Sequence, residues 1–234
     1  MTLHGEEIIW NCLTPRNSQL KEVSDSISNS FMQEAFQYLA KKDTIFRQII
    51  TTYGLPEIIP SRPEGFETLV LLILEQQVSI DSAKATFLRM REKVLTIEPL
   101  ALVDLTEEEF RSFGVSRQKA KYIKCLSEAV LEKTIDLSTL SSKTSDEVRA
   151  ELIQLKGIGN WTIDVYLMFC LKKEDILPLG DVALVNTMKE LLDIHDKTAM
   201  DDYAQRWSPY KTYASFLLWH HYLQKRGRKI TYQY

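Results

Sequence analysis

Leu152-Ile-Gln-Leu-Lys-Gly-Ile-Gly-Asn-Trp-Thr162 joins two helix-forming stretches through a turn with glycines at 157 and 159. Upstream, Thr144-Ser-Asp-Glu147 has the form of a capping box and predicts a helix over Asp146–Leu155. Downstream, a second helix is expected from Asn160 to about Leu171. Glycine admits positive φ and lets another backbone come close. The second helix leaves the turn with its free N–H groups and the positive end of its dipole pointing outward, which suits an anion. Lys156 could add a charge there and Thr162 a hydroxyl. By itself, Gly-x-Gly between helices also fits an ordinary helix–helix turn, and both readings stand at this point.

Working outward, the same helical punctuation recurs. Helices are expected at about 29–41 and 43–53, with Phe31, Ala35, Phe36 and Leu39 on one face. Tyr53–Pro63, with Gly54, Pro56, Pro60 and Pro63, reads as a linker. Glu64–Glu75 is an apolar helix, and Ser79 caps another that runs to about Leu95. Thr106-Glu-Glu-Glu109 is a further capping box, for a helix ending at Gly114, and Ser116 caps Arg117–Leu131. After the hairpin, helices are expected from Asp181 to about Leu192, over Ala199–Trp207 and over Pro209–Gln224. Alternating strand patterns are nearly absent, so the fold class is all-α.

Composition narrows the function. The chain has 234 residues, enough to bury a core without staples, and a net charge of −3. That charge does not advertise a nucleic-acid binder, although a local basic face can sit on an acidic protein. The three cysteines, Cys12, Cys125 and Cys170, are far apart, which argues against a zinc or iron–sulfur site and for a reducing compartment. The apolar runs Leu69–Leu74 and Tyr213–Trp219 are far shorter than the roughly 20 residues of a membrane span. Met1–Trp10 lacks the pattern of a secretory signal.

Leu155-Lys-Gly-Ile-Gly159 resembles the LPGIG hairpin of helix–hairpin–helix (HhH-GPD) DNA glycosylases. That family has a second signature, a Gly/Pro-rich loop followed by aspartate, to which Leu177-Pro-Leu-Gly-Asp181 is similar. Gly159-Asn-Trp-Thr162, Glu75-Gln-Gln-Val-Ser79 and Trp207-Ser-Pro-Tyr-Lys-Thr-Tyr-Ala214 resemble blocks of the bacterial 3-methyladenine DNA glycosylase II group, in the same order. The chain departs from the pattern at Lys156, where proline is usual, at Glu75, where glycine is usual, and at Val165, where some relatives carry an aromatic.

The resemblance implies two helical subdomains with an active cleft between them. Residues 1–60 would pack with the C-terminal part, 181–234, and 61–180 would form a central unit holding the motif at about 145–171. It implies Asp181 as the catalytic carboxylate, stabilising the positive charge that develops on the sugar when an N-glycosidic bond breaks. Asp181 also suits an N-cap of the following helix, and the two roles are compatible. Trp161 and Trp219 match the family's pocket tryptophans, which would stack on a base flipped out of the duplex. An alkylated, cationic purine would gain a cation–π contribution of about 0.5–2 kcal/mol there. Either tryptophan could instead be core.

Gln77 aligns with the wedge that fills the hole left by the base, and Gln76 could pair with the opposite strand, unless the two form an ordinary polar helix end. Lys156, Gly157, Gly159 and Thr162 would bind backbone phosphate. The carbonyls of Ile153, Leu155 and Ile158 would hold a structural monovalent cation. Bifunctional relatives carry a lysine where this chain has Trp161, so no lyase step is expected. The basic groups Lys119, Lys121 and Lys124, and the tail Lys225-Arg-Gly-Arg-Lys229, read as solvated surface or phosphate contacts. His220 and His221, adjacent on a helix, point apart and are not expected to bind metal.

The expectation is therefore a monofunctional glycosylase releasing 3-methyladenine-type purines. Its partner would be damaged double-stranded DNA, and it would act as a monomer without a cofactor. Its place would be cytoplasmic and nucleoid-associated, or nuclear in a eukaryote. The alternatives are a non-catalytic helix–hairpin–helix DNA-binding protein, which has no need of Asp181, or a glycosylase for uracil, hypoxanthine or an oxidised purine.

Overall fold

The computed structural model describes residues 32–56 and 59–228. Residues 1–28, Phe31 and Lys229 lie outside them. Among the described residues every regular element is helical. α1 spans 32–42. It is followed by α2 (Thr44–Tyr53), α3 (Phe66–Glu75), α4 (Ile80–Val94), α5 (Pro99–Val103), α6 (Glu107–Ser112) and α7 (Arg117–Leu131). After a 3₁₀ turn at Leu137–Ser142 come α8 (Ser145–Leu152), α9 (Asn160–Phe169), α10 (Val182–Leu192), α11 (Lys197–Ala204) and α12 (Lys211–Gln224). None of these helices is long and apolar enough to cross a membrane.

The caps read from the sequence are the caps observed. Thr106 and Thr144 each close a full capping box, with Glu109 and Glu147 returning to the cap N–H. Ser79 and Ser116 accept from Ser82 N and Lys119 N. Two elements were not anticipated, α5 and the 3₁₀ turn. Both are shorter than a window in which apolar periodicity can be recognised. Pro99 at the first turn starts one, and the Asp136 carboxylate, accepting from Ser138 N, starts the other. α8 stops at Leu152, short of the expected Leu155, because the chain tightens: Gln154 N donates to Glu151 O and Leu155 N to Leu152 O.

Two apolar cores result. The first gathers α3 to α9, and its centre is α3 against α9, two helices buried all round rather than along one stripe. Leu69 to Leu74 lie wholly inside it, each such side chain worth about 1.5–3 kcal/mol. The second core joins α1 and α2 to α10, α11 and α12. α12 serves both: Phe216 belongs to the first, Ala214, Leu217 and Leu218 to the second, and Tyr213 and Trp219 pack against the two together. The linker is pinned to the first core by Arg62, whose backbone N–H donates to Phe169 O and whose guanidinium makes a buried bidentate pair with Glu75 at 2.8 and 2.9 Å. Glu75, which departs from the family's usual glycine, is one half of this pair.

Candidate active site

At the hairpin, Gly157 has φ 91°, and a Cβ there would lie 2.1 Å from the Tyr122 ring. The glycine is required twice over, for its backbone conformation and for the approach of α7. Gly159 differs. Its φ is −105° and a Cβ would meet nothing within 4 Å. As the N-cap of α9 it supplies no side-chain acceptor, so the first N–H groups of that helix are open to an external one. Lys156 is exposed beside the turn, whereas Thr162 is buried. The Thr162 hydroxyl accepts from Gln76 Nε2 at 3.1 Å, so it faces inward rather than toward a ligand phosphate. The two hairpin helices are tied by Arg149 of α8, which pairs with Asp164 of α9 at 2.5 Å and reaches Asn160 Oδ1 at 3.3 Å. Burial pushes the Asp164 carboxyl above the usual range, and the Arg149 guanidinium opposes that shift without cancelling it.

The end of α3 meets the hairpin through Gln76. Its Nε2 donates to Gly157 O at 2.8 Å as well as to Thr162 Oγ1. The sequence left Gln76 either to pair with the opposite DNA strand or to belong to an ordinary polar helix end; in the structure its amide is turned onto the hairpin. Gln77 follows at φ 57°, an exposed residue in the left-handed region. Lys119 closes the same helix end, donating to Leu74 O at 2.8 Å, and burial lowers its pKa. Its ammonium is thus tied to the end of α3.

Asp181 lies at the end of a tight loop in which its N–H donates to Pro178 O. Gly180 lets that loop touch α9: a Cβ would come within 2.9 Å of Trp161 Cβ. The carboxylate is held by three donors. Oδ1 accepts from Leu184 N at 2.8 Å, the N-cap bond of α10, and from Trp219 Nε1 at 3.0 Å. Oδ2 accepts from Trp161 Nε1 at 3.4 Å, a longer contact. The two tryptophans and Asp181, named separately from the sequence, therefore form one cluster at the meeting of α9, α10 and α12. That both indoles hold the carboxylate by their edges was not foreseen. Both are half-buried, and Trp219 also packs edge-on against Phe169 at 5.9 Å between centroids.

The remaining lysines near α9 are engaged. Lys172 donates to Phe169 O and Ser61 Oγ, and Lys173 donates to Lys143 O at 2.7 Å. In the tail, Lys225 pairs with Glu190, and the Arg226 guanidinium lies over Tyr222. His220 and His221 face different partners, Tyr53 O and Glu190. Among the described residues no group of three metal-ligating side chains exists. One hub was missed in the sequence. Buried Asp43 accepts from Tyr203 OH at 2.9 Å and Trp207 Nε1 at 3.1 Å, with 160 and 164 residues between partners, and no local pattern marks such a contact.

Residues 70–211 match the family model of the HhH-GPD superfamily base excision DNA repair proteins. The chain is 34% identical to YfjP of Bacillus subtilis over 125 residues, covering 52% of this chain and 44% of YfjP, less than half that relative's length. It is 26% identical to DNA-3-methyladenine glycosylase 1 of Schizosaccharomyces pombe over 191 residues, 78% of this chain and 84% of that protein. The crystal structure of a DNA-3-methyladenine glycosidase from Bacillus halodurans superposes with a TM-score of 0.70 at 31% identity, over 81% of this chain and 89% of that one.

Proposed function

We propose, starting from a chain that belongs to the HhH-GPD superfamily of base excision DNA repair proteins, that it is a monofunctional DNA glycosylase excising alkylated, 3-methyladenine-type purines. The observation that carries the reading is the Asp181 cluster. A carboxylate that merely capped α10 would need only Leu184 N, yet two indole N–H groups converge on it from α9 and α12. Relatives named as 3-methyladenine glycosylases support the substrate class.

In this reading the hairpin and Lys156 anchor the phosphates, Gln77 enters the vacated stack, and the base rests against Trp161 and Trp219. A purine alkylated at N3 or N7 carries a positive charge. The C1′–N bond breaks with its electron pair leaving on the base, which departs neutral. Asp181 stabilises the oxocarbenium character left on the sugar. Oδ2, held by the longer of the two indole bonds, is the oxygen we assign to face C1′ and to take the proton of the attacking water. No lysine occurs between Asn160 and Phe169, and Lys172 and Lys173 are already committed, which supports hydrolysis without an imine step.

The hairpin carbonyls suit a monovalent cation in chemistry: Leu155 O accepts from Ile158 N, while Ile153 O and Ile158 O accept no described hydrogen bond. Such an ion would stiffen the turn and add positive charge beside the phosphates. The two apolar cores are read as the two subdomains, divided near residues 60 and 181.

The test is incubation with duplexes carrying single lesions, identification of released bases by mass spectrometry, and a gel with and without alkali. Release of 3-methyladenine or 7-methylguanine, with strand cleavage only after alkali and no borohydride-trapped adduct, is expected. Release of no base from any lesion overturns the enzymatic reading, and a trapped adduct overturns the monofunctional one.

A further inference from the structure

The end of α3 and the hairpin are 81 residues apart in sequence, and a single side chain bolts them together. The Gln76 amide uses both of its hydrogens on the hairpin, one on the Gly157 carbonyl at 2.8 Å and one on the Thr162 hydroxyl at 3.1 Å. Both acceptors belong to the turn and first helical turn whose open N–H groups suit phosphate. Thr162 is 2% exposed, so its hydroxyl has been withdrawn from solvent to serve as an internal acceptor. The next residue, Gln77, stands exposed in a left-handed conformation.

The surroundings brace the same junction. Lys119 and Tyr122 sit one turn apart on α7. Lys119 Nζ holds Leu74 O at the end of α3, and Tyr122 lies so close to Gly157 that no Cβ fits between them. α7 therefore fixes both sides of the gap that Gln76 bridges. An amide so placed cannot turn to a base on the opposite strand without giving up two hydrogen bonds in a half-buried site.

We propose that Gln76 is a positioning residue that locks the wedge to the phosphate-anchoring hairpin, so that docking of the hairpin on the backbone delivers Gln77 to the stack at a fixed distance. The inference rests on the glycosylase reading given above. It assigns Gln76 no contact with the DNA bases. Loss of the lock leaves the hairpin able to bind phosphate but lets the wedge wander. The defect then falls on base flipping, and it is the same whatever base lies opposite.

The experiment compares Gln76→Ala, Gln76→Glu, Thr162→Val and the double variant Gln76→Ala/Thr162→Val with the wild-type protein. Flipping is read by 2-aminopurine fluorescence in a duplex, excision by single-turnover rate, and binding by titration of undamaged DNA. Gln76→Ala is expected to lower flipping and the single-turnover rate about tenfold, equally for all four opposing bases, with undamaged-DNA affinity within about twofold of wild type. Gln76→Glu, which keeps the shape but cannot donate, should match it. Thr162→Val should show a smaller loss, and the double variant should be no worse than Gln76→Ala alone, because the two residues make one contact.

A loss that depends on the opposing base overturns the proposal in favour of direct reading of that strand. Additive losses in the double variant, or a parallel fall in binding to undamaged DNA, overturn it as well. Thr162→Val carries the test if Gln76→Ala does not fold. Flipping is measured apart from excision, so a wild-type protein that flips a base without releasing it defeats the enzymatic reading and leaves the lock open to test.

Discussion

The hairpin and the carboxylate cradle both draw on the start of α9 and are built in opposite ways. The hairpin is continuous, residues 152 to 162, and its shape follows from one glycine that must be a glycine, Gly157. The cradle is assembled from three elements. Trp161 is 20 residues and Trp219 38 residues from Asp181, and their indole edges meet its two oxygens. A contiguous motif can be docked on any backbone phosphate, because its donors are main-chain N–H groups presented in a fixed arc. A cradle drawn from separate helices is sensitive to how α9, α10 and α12 pack, and is suited to chemistry, where a displacement of about 1 Å matters. Binding and bond breaking should therefore separate when the two regions are damaged one at a time.

The largest separation is expected at Asp181. Asp181→Asn keeps an oxygen that can cap Leu184 N but removes the charge. Base release should fall about 10²-fold or more while affinity for lesion-bearing DNA stays within a few-fold. Single-turnover rates beside binding isotherms decide it. Full activity in a folded variant would move the chemistry away from the cradle and erase the contrast.

The two hairpin glycines sharpen the comparison from the other side. Gly157→Ala forces a Cβ into the Tyr122 ring at a positive φ, and should lower stability by about 1–3 kcal/mol and weaken binding to all DNA. Gly159→Ala has free space and an ordinary φ, so its melting temperature should match wild type. Any loss of affinity it causes should be the same for every sequence, since that open space is where a phosphate would approach. If Gly159→Ala melts early, or if either change affects one lesion only, the hairpin is not the sequence-blind half.

What could be read from the sequence follows the same division. The capping boxes at Thr106 and Thr144 and the caps at Ser79 and Ser116 are local, with partners three residues away. Asp181, Trp161 and Trp219 could be listed because a family pattern resembles them. That their edges converge on one carboxylate is a property of packing. Direction also stayed hidden: Thr162, Gln76 and Lys119 each turn a polar group to a partner 86, 81 or 45 residues away. A side chain's type is visible in a sequence, whereas its heading depends on neighbours that the chain brings up later.

Within the cradle, the two tryptophans should differ. Phenylalanine keeps an aromatic face for stacking and loses the indole donor. Trp219→Phe gives up a 3.0 Å bond to Asp181 Oδ1 and should lower the single-turnover rate about tenfold with little change in binding. Trp161→Phe gives up only a 3.4 Å contact and should cost less. Equal losses, or losses confined to binding, would mean that the indoles serve the base by their faces and that the carboxylate needs no such cradle.

The smallest effect tests whether the hairpin is held independently of the cradle. Asp164 is buried on α9, three residues after Trp161, and its bond to Arg149 ties α9 to α8. Burial raises its pKa in the folded protein and Arg149 only partly offsets that. For a carboxyl the sign is then fixed. The folded state holds the proton more tightly than the unfolded chain, so the group's contribution to stability is greatest below the unfolded value and declines as pH rises through the raised folded value. Asp164→Asn cannot titrate. The wild-type melting temperature minus that of the variant should therefore fall with rising pH across the carboxylate range and level off above it, while base release by the folded variant at neutral pH changes little. A difference that grows with pH would show that the Arg149 pair outweighs burial and that the ion pair, more than the Gly157 turn, holds the hairpin. A large loss of base release would show that the tie between α8 and α9 also sets Trp161 against Asp181, joining the two regions that the other variants are expected to separate.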